Sequence, residues 1–399
     1  MKHTLPILFI LLIFQFTNAQ KLDATLAELN FFEDSYPQNF TPFQTGFYFT
    51  ATDGYYNLYG RELWYSNGTP EGTRMVKDII PGNSSSNPSS LTVVNGILYF
   101  VANDAIHGAE LWKSDGTNAG TVMVKDIRPN TNSEYNGPLN LTECNGKLFF
   151  AATNEIDGYE LWTSDGTEIG TYMVKNINPI NNRDSYPNDL FVFNNTLYFI
   201  ADDGTNGTEL WKSDGTESET IMVKNINTYS SSIYNGNQFL VLNNQFYFYA
   251  NDGIHGTELW KSDGTESGTK MVKDLRIGNF SSALVLKGDK LNDLIIFEAD
   301  NGTNGVEIWK SDGTEAGTLM VKDINNSSNN SSVYFDKFNH TSLKNYIYFF
   351  ANDGVHGNEM WKTDGTFNGT VLVKDINPGN LSISVEKLHA DEVNNKLLF

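Results

Sequence analysis

The sequence is poor in several residue types and patterns that indicate the class of a protein. Cysteine occurs once, as Cys144, so an intramolecular disulfide is excluded, and its apolar neighbours predict a buried, inert thiol. Lysine and arginine number 27 against 48 aspartates and glutamates, which gives a net charge of −21. A chain so acidic has no electrostatic reason to bind nucleic acid or an anionic membrane surface. We expect neither as a partner.

Apolar runs of membrane length are also missing, so no membrane span is expected. Residues 1–19 begin with a lysine at position 2, continue with an apolar run over 7–14 and end on small residues, as a secretory signal peptide does. We therefore expect export, with the mature chain secreted or at the cell surface. Residues 20–33 match no repeat and are predicted to be an irregular segment before the first repeat.

The sequence also lacks helical patterns, and it contains instead a repeat that is marked by tryptophan. Glycine and asparagine interrupt the longer segments, so no window shows a sustained helical stripe. The stretch ELWKSDGTNAGTVMVKDI at 110–127 has seven copies, and consecutive tryptophans are 48 to 52 residues apart. A period of about 50 residues is typical of a blade-sized repeat. The copies hold every tryptophan of the chain: Trp64, Trp112, Trp162, Trp211, Trp260, Trp309 and Trp361.

Each copy is predicted to be a β-hairpin. Side chains alternate in character on both sides of Ser-Asp-Gly-Thr, whose residues favour a reverse turn. If Trp112 lies opposite Met123, the same antiparallel register places Glu110 opposite Lys125. The numbering allows this in all seven copies. We therefore predict a repeated cross-strand ion pair beside each tryptophan.

A second hairpin precedes each tryptophan hairpin, with tight turns such as Asn95-Gly96. Each repeat thus holds four short strands, and a ring of four-stranded units buries both faces of every unit. We predict an all-β β-propeller over residues 34–399, with seven blades and a partial C-terminal repeat. Because residues 382–399 begin another hairpin, eight blades or a truncated larger ring are alternatives, and a β-solenoid is a third.

The repeated stretch resembles a known family. ELWKSDGT begins at 110, 209 and 258, EIWKSDGT at 307, ELWTSDGT at 160 and EMWKTDGT at 359. These copies are similar to the ELWxxDGT repeat family of secreted and cell-surface bacterial proteins, over about residues 34 to 399. The resemblance implies export or surface attachment, and it brings no established catalytic residues to this chain.

The loop before each tryptophan strand raises the question of metal binding. One place in this loop holds histidine in three copies and Asp or Asn in three others: His107, His255, His356, Asp157, Asn206 and Asn304. Since these residue types tolerate positive φ best, we interpret the place as a strained turn and not a metal ligand. The aspartates of Asn-Asp-Gly and Ser-Asp-Gly-Thr are interpreted as holding their own turns, with calcium binding as the alternative. No other cofactor is expected.

The segments that connect the repeats vary most, and variable loops on a rigid scaffold are where binding residues concentrate. They carry an aromatic residue at a comparable place: Tyr36, Tyr135, Tyr186, Tyr234, Phe280 and Tyr334. If the segments share one face, these rings lie there among Asn and Ser, a composition suited to stacking on sugars and bonding their hydroxyls. The alternative is that each ring folds inward and holds its own segment.

These features predict a secreted, non-enzymatic β-propeller that acts as an adhesion or binding module for a polysaccharide or a surface protein. Near-equal repeats suit multivalent contacts, and no unrepeated acid, base or nucleophile forms a recognisable catalytic constellation. A secreted glycan hydrolase or lyase that uses carboxylates near the ring axis is the rival hypothesis. A structural component of the cell surface is the third.

Overall fold

The computed structural model describes residues 35–53, 58–129, 132–133, 137–180, 183–283, 286–326, 333–334, 340–380, 382, 389–391 and 396–398. The predicted signal peptide and the irregular segment that follows it lie outside these residues. The chain divides into two compact units, Met1–Pro187 and Asn188–Phe399. No helix in the described part of the chain is both long and apolar enough to cross a membrane.

The first unit contains three antiparallel sheets of four strands each, and we call them blades 1 to 3. Neighbouring strands in each sheet are also consecutive in the chain. The strands are β1 (Gln38–Phe43), β2 (Gly46–Ala51), β3 (Glu62–Ser66), β4 (Arg74–Lys77), β5 (Ser89–Val94), β6 (Ile97–Asn103), β7 (Ala109–Ser114), β8 (Val122–Lys125), β9 (Leu139–Cys144), β10 (Lys147–Thr153), β11 (Tyr159–Ser164) and β12 (Tyr172–Lys175).

The second unit contains blades 4 to 7 and a final two-stranded sheet. The strands of blades 4 to 6 are β13 (Asn188–Phe193), β14 (Thr196–Asp202), β15 (Thr208–Ser213), β16 (Ile221–Lys224), β17 (Leu240–Leu242), β18 (Gln245–Asn251), β19 (Thr257–Ser262), β20 (Lys270–Lys273), β21 (Gly288–Leu291), β22 (Leu294–Asp300), β23 (Val306–Ser311) and β24 (Leu319–Lys322). Those of blade 7 and the final sheet are β25 (Val333–Tyr334), β26 (His340–Leu343), β27 (Tyr346–Asn352), β28 (Asn358–Thr363), β29 (Val371–Lys374), β30 (His389–Asp391) and β31 (Lys396–Leu398).

Blade 7 differs from the others in one respect, because β25 and β26 both pair with β27 and together replace a single edge strand. The remaining six blades are simple four-stranded meanders, which is the blade architecture of β-propellers. The prediction of an all-β chain built from seven propeller blades of four strands is confirmed, with one additional strand in blade 7. The hairpin of β30 and β31 lies where the partial C-terminal repeat is predicted.

Successive connections of an antiparallel meander lie at opposite ends of the sheet. In blade 2, the Asn95-Gly96 turn and the Ser-Asp-Gly-Thr turn between β7 and β8 share one end, which we call the turn end. The loop between β6 and β7 and the segment that leads from β8 to blade 3 share the other end, which we call the loop end. Every blade has this arrangement, so the repeated Asp-Gly turns and the variable segments are separated by the length of the strands.

Each tryptophan strand contributes to two apolar layers. Trp112 is 6% exposed and packs in a cluster with Phe43 and Leu63 of blade 1. Its neighbour Leu111 belongs to a different cluster, which includes Leu148 of blade 3. Because consecutive side chains of a strand point to opposite faces, one strand packs against both neighbouring blades. Trp112 is therefore buried between two blades.

The predicted register of the tryptophan hairpin is half right. Trp112 does lie opposite Met123, but the ladder shifts between Leu111 and Trp112. That irregularity places Leu111, and not Glu110, opposite Lys125. The prediction of a cross-strand Glu–Lys ion pair is therefore wrong, and the same shift occurs in the other six blades.

The lysines of the repeat instead join consecutive blades at the turn end. Lys113 Nζ donates a hydrogen bond to the Gly166 carbonyl over 2.8 Å, and Lys125 Nζ donates to the Thr171 carbonyl over 2.8 Å. Gly166 has φ of 87°, and a Cβ on it would collide with the hydroxyl of Tyr99 from the preceding blade. The turn therefore needs glycine both for its backbone conformation and for the space that the neighbouring tyrosine occupies.

The same junction recurs in the second unit, where Lys261 Nζ donates to the Gly313 carbonyl over 2.8 Å. Blade 1 has Tyr65 in place of this lysine. There Arg74, from the adjacent strand, donates through Nη2 to the equivalent carbonyl, that of Gly116, over 2.8 Å. The junction is thus preserved by a cation on a neighbouring strand when the repeat lysine is replaced.

Candidate functional site

The aspartates of the turn end hold their own turns, as interpreted from the sequence. Asp115 Oδ1 accepts hydrogen bonds from the Thr117 amide over 2.8 Å and from the Thr117 hydroxyl over 2.7 Å. These bonds lower the pKa of the Asp115 carboxyl. Among the described residues, no group of three or more His, Cys, Asp or Glu side chains is placed to hold a metal ion. Calcium binding stays an untested prediction.

The histidines of the loop end have a different role from the predicted one. His107 Nδ1 lies 2.7 Å from Asp104 Oδ2, and this hydrogen bond raises the pKa of His107. The left-handed positions of the loop are Ala105, with φ of 66°, and Gly108, with φ of 79°. The prediction that the histidine itself needs positive φ is wrong. Asp104 Oδ1 also accepts the amides of Ile106 and His107, so the aspartate and histidine together fix the loop.

The repeat glutamate, which was expected to pair with lysine, is buried and holds the connecting segment. Glu160 Oε2 accepts hydrogen bonds from the Ile177 amide over 2.7 Å and from the Ser185 hydroxyl over 2.7 Å. Glu160 Oε1 accepts from the Asn178 amide over 3.3 Å. Burial raises the pKa of Glu160 to about 7 despite these bonds, which lower it. The glutamate therefore positions the segment that presents Tyr186, the residue after Ser185.

Most of the predicted aromatic residues that the structure describes are exposed at the loop end. Their exposed fractions are 57% for Tyr36, 59% for Tyr186, 44% for Tyr234 and 60% for Phe280. These four rings do not fold inward to fill the core. Tyr334 lies in β25, and Tyr135 lies outside the described residues.

Of the aromatics that the structure describes, two occupy the same place of the repeat. Tyr36 and Tyr186 each follow a serine and precede a proline, and they have φ of 44° and 46°. Bulky side chains rarely adopt the left-handed region, and such strained positions concentrate at functional sites. The equivalent place in the segment between blades 1 and 2 is Asn87, with φ of 47°. The connecting segments differ in length, so Tyr234 and Phe280 lie at other places.

Tyr186 belongs to a group of side chains that we call the Arg128 cluster: Arg128, Glu155, Tyr159, Asp184 and Tyr186. The rings of Tyr159 and Tyr186 stack with centroids 6.0 Å apart and an angle of 14° between their planes. Arg128 Nη2 lies 2.5 Å from Glu155 Oε1, and the Tyr159 amide donates to Asp184 Oδ1 over 2.7 Å. A hydrogen bond with Asp184 raises the pKa of Tyr186. Burial raises the pKa of Tyr159 and the nearby charge of Arg128 counteracts this, which links the arginine to the two rings.

Sequence reasoning missed four members of this cluster, although a signal was present. Glu155 has φ of 69°, at a place where other blades have glycine or alanine. Arg128 and Tyr159 likewise stand where most other blades have smaller residues, such as Asn178 and Thr208. Departures from the repeat therefore converge at one point in space, which a comparison of the repeats alone does not reveal.

A second arginine lies at the same place of the repeat in the second unit. Arg276 Nη1 is 2.7 Å from Asp300 Oδ2, and its guanidinium lies 5.5 Å from the centroid of the Phe280 ring. At this distance the cation and the ring attract each other. Phe280 is thus supported by an arginine and exposed on its other side.

The rival enzyme hypothesis requires carboxylates near the ring axis. The candidates are the carboxylates on the first strands of the blades. Asp189 Oδ2 accepts the amides of Gly236 over 2.8 Å and Asn237 over 3.1 Å, and burial raises the pKa of Asp189. Asp289 accepts a short hydrogen bond from the Ser342 hydroxyl. Both carboxylates join neighbouring blades of the second unit, which is a structural role.

Comparison with known proteins gives structural matches only. No model of a known protein family matches the sequence, and no curated protein does. A puromycin hydrolase matches with 12% identity and a TM-score of 0.41, over 79% of this chain and 50% of that one. Oligopeptidase B from Leishmania major matches with 11% identity and a TM-score of 0.44, over 86% and 49%. This chain spans about half the length of these two proteins.

The β-propeller domain of the Trilobed protease from Pyrococcus furiosus matches with 11% identity and a TM-score of 0.36. The match covers 86% of this chain and 98% of that domain. The peptidase activities in these names belong to those proteins.

Proposed function

We propose that this chain is a secreted or cell-surface binding module, without enzymatic activity, that binds polysaccharide through the loop ends of its blades. Its place in the ELWxxDGT repeat family is part of this proposal and rests on the repeated motif. The observation that carries the proposal is the exposure of Tyr36 and Tyr186 in left-handed backbone positions.

Exposed aromatic rings in fixed positions suit sugars for a physical reason. A ring offers a flat apolar face to the C–H groups of a pyranose, while nearby carboxylates and amides bond its hydroxyls. A rigid ring also loses little conformational entropy when a ligand stacks on it. The left-handed backbone belongs to this place of the repeat, since Asn87 shares it, and it costs more free energy with a tyrosine than with an asparagine.

The test is a screen of the full chain against immobilised polysaccharides, read both as retention and as release of shortened sugars. We expect retention without release. We expect the same retention with added calcium and with a chelator, because the turn aspartates already accept hydrogen bonds from their own turns. Release of shortened sugars would replace this proposal by the glycan hydrolase or lyase, and failure to bind any polysaccharide would overturn it.

A further inference from the structure

At the Arg128 cluster, the residues of the first unit differ from those that most other repeats have at the same places. Blade 2 has Ala109 where blade 3 has Tyr159, and the segment after blade 1 has Asn87 where the segment after blade 3 has Tyr186. Blades 2 and 3 share their strand order and their turn-end contacts, so the scaffold does not require the tyrosine pair. A pair of stacked tyrosines at the surface is therefore better explained by what it presents to solvent.

The geometry fixes the outer ring in a defined orientation. One face of Tyr186 packs on Tyr159, and the residue is 59% exposed. The Tyr159 hydroxyl donates to the Gly137 carbonyl over 3.4 Å, while Tyr186 hydrogen-bonds with Asp184. Ser185, directly before Tyr186, is itself held by the buried Glu160. The open face of Tyr186 is thus a small rigid platform.

A carboxylate with suitable chemistry adjoins the platform, because Asp184 hydrogen-bonds with both the Tyr159 amide and Tyr186. The Glu155 side chain is 48% exposed and is oriented by Arg128, whose own side chain is 7% exposed. A carboxylate held in this way can accept hydrogen bonds from ligand hydroxyls without leaving its arginine, because each oxygen has two lone pairs. Asp184 supplies further acceptor oxygens beside the two rings.

The charges decide which class of glycan fits. Asp184 places a carboxylate beside the platform and Glu155 adds a second one to the Arg128 cluster, whereas the guanidinium of Arg128 is nearly buried and already paired. The whole chain carries a net charge of −21. Carboxylated or sulfated sugars would therefore be repelled both at the cluster and on approach.

We infer that the Arg128 cluster is a binding subsite for an uncharged pyranose residue of a glycan, which stacks on the open face of Tyr186 and donates hydroxyl hydrogen bonds to Asp184. This inference rests on the proposed function, since it names the site and the ligand class for the same binding activity.

The decisive variant is Tyr186→Asn, because Asn87 already occupies this place of the repeat at φ of 47°. The substitution removes the ring and keeps a residue that tolerates the left-handed backbone. Tyr172→Val is the matched control, since Tyr172 is exposed on β12 and blade 2 has Val122 at the same place. Affinity electrophoresis of the full chain in gels with a neutral β-glucan, a neutral mannan or a polyuronate measures the dissociation constants.

We expect the wild type and Tyr172→Val to bind a neutral glycan equally, Tyr186→Asn to bind at least tenfold more weakly, and the polyuronate not to retard the wild type. Tyr159→Thr, which copies Thr208, should weaken binding several-fold because the platform loses its support. Thermal melts of all variants identify any loss of binding that is due to unfolding.

Three results would contradict the inference, and they differ in what else they overturn. Unchanged binding of a neutral glycan by folded Tyr186→Asn would overturn the subsite and leave the proposed function intact. Stronger binding of the polyuronate would overturn the uncharged ligand class. Lack of binding by the wild type to any glycan would overturn both the inference and the proposed function.

Discussion

The two ends of each blade follow different rules. At the turn end, the same contacts recur from blade to blade, such as the Asp115 and Asp165 turns and the lysine bonds to the next turn. At the loop end, the anchoring glutamate recurs, but the segment that it anchors varies in length and in sequence. The turn end therefore joins the blades, and the loop end presents side chains.

This difference shows how one repeat can serve both stability and binding. The lysines and tyrosines of the turn end reach the neighbouring blade, so a change there affects two blades at once. The tips of the loop end, such as Ile254 at 65% exposure, contact mainly solvent. We therefore expect substitutions in the shared framework to change stability, and substitutions at the loop end to change binding with little effect on stability.

The largest effect is expected from the layer between blades. Trp260 is 6% exposed and packs with Phe193 and Tyr198 of blade 4. Trp260→Ala should lower the free energy of unfolding by about 3 to 5 kcal/mol, because it leaves a cavity in this layer. Denaturant unfolding of the full chain measures the loss, and Trp260→Phe, which keeps an aromatic ring, should lose less. A wild-type unfolding curve for Trp260→Ala would disprove the interblade packing.

The second effect depends on pH and comes from the buried glutamates. Burial raises the pKa of five of them from 4.5 to about 7: Glu62, Glu110, Glu160, Glu209 and Glu258. Between these values the folded chain binds more protons than the unfolded chain. The stability that these glutamates contribute is therefore full below pH 4.5 and is lost as the pH rises to about 7, by at most about 1.4 kcal/mol per pH unit for each group.

Glu209→Gln tests this linkage, because glutamine keeps the size of the side chain and does not titrate. The melting temperature of the variant should fall less steeply than that of the wild type between pH 4.5 and 7. Glu266→Gln, at an exposed position of the turn end, should leave the slope unchanged. Equal slopes for Glu209→Gln and the wild type would show that the buried carboxyl does not titrate in this range.

A smaller effect is expected from one interblade hydrogen bond at the turn end. Lys261→Met removes the bond to the Gly313 carbonyl and keeps most of the apolar side chain. We expect a loss of about 0.5 to 1.5 kcal/mol in the free energy of unfolding. Lys270→Met, on an exposed side chain of the next strand, should change it by less than about 0.5 kcal/mol. Equal effects of the two substitutions would remove the special role of the junction.

The smallest effect is expected at the loop end. Ile254→Thr copies Thr205, which occupies the same place in blade 4. The side chain is largely exposed, so the free energy of unfolding should change by less than about 0.5 kcal/mol. Differential scanning calorimetry of the full chain measures this change. A loss as large as that of Lys261→Met would contradict the separation of the two ends.

The strands and the turns between them could be predicted from the sequence, because they depend on local periodicity. Alternating side chains predict β7 and β8, and the Trp112–Met123 pair follows from the turn between them. The prediction of the Glu110–Lys125 pair was wrong because it assumes an unbroken ladder of paired residues. The ladder instead has an irregularity between Leu111 and Trp112. Because the register is shifted, the lysine side chain contacts the next blade and the glutamate side chain is buried.

The candidate site was only partly predictable for a related reason. Tyr36 and Tyr186 stand out in the sequence as aromatics in variable segments, but their support does not. Arg128 and Tyr186 are separated by 58 residues in the chain (186 − 128), and the folding of the blades brings them into one cluster. Which rings are exposed, and what lies beneath them, depends on packing between segments that do not follow one another.

The sequence alone determined the all-β class, the repeat of four strands and the position of the tryptophans, because period-two alternation and turn residues act over a few neighbours. The tertiary structure alone decided that the repeat glutamate is buried, that the lysines join blades and that the Arg128 cluster assembles. These contacts join residues far apart in the chain, and their free energies depend on burial, which no local pattern specifies.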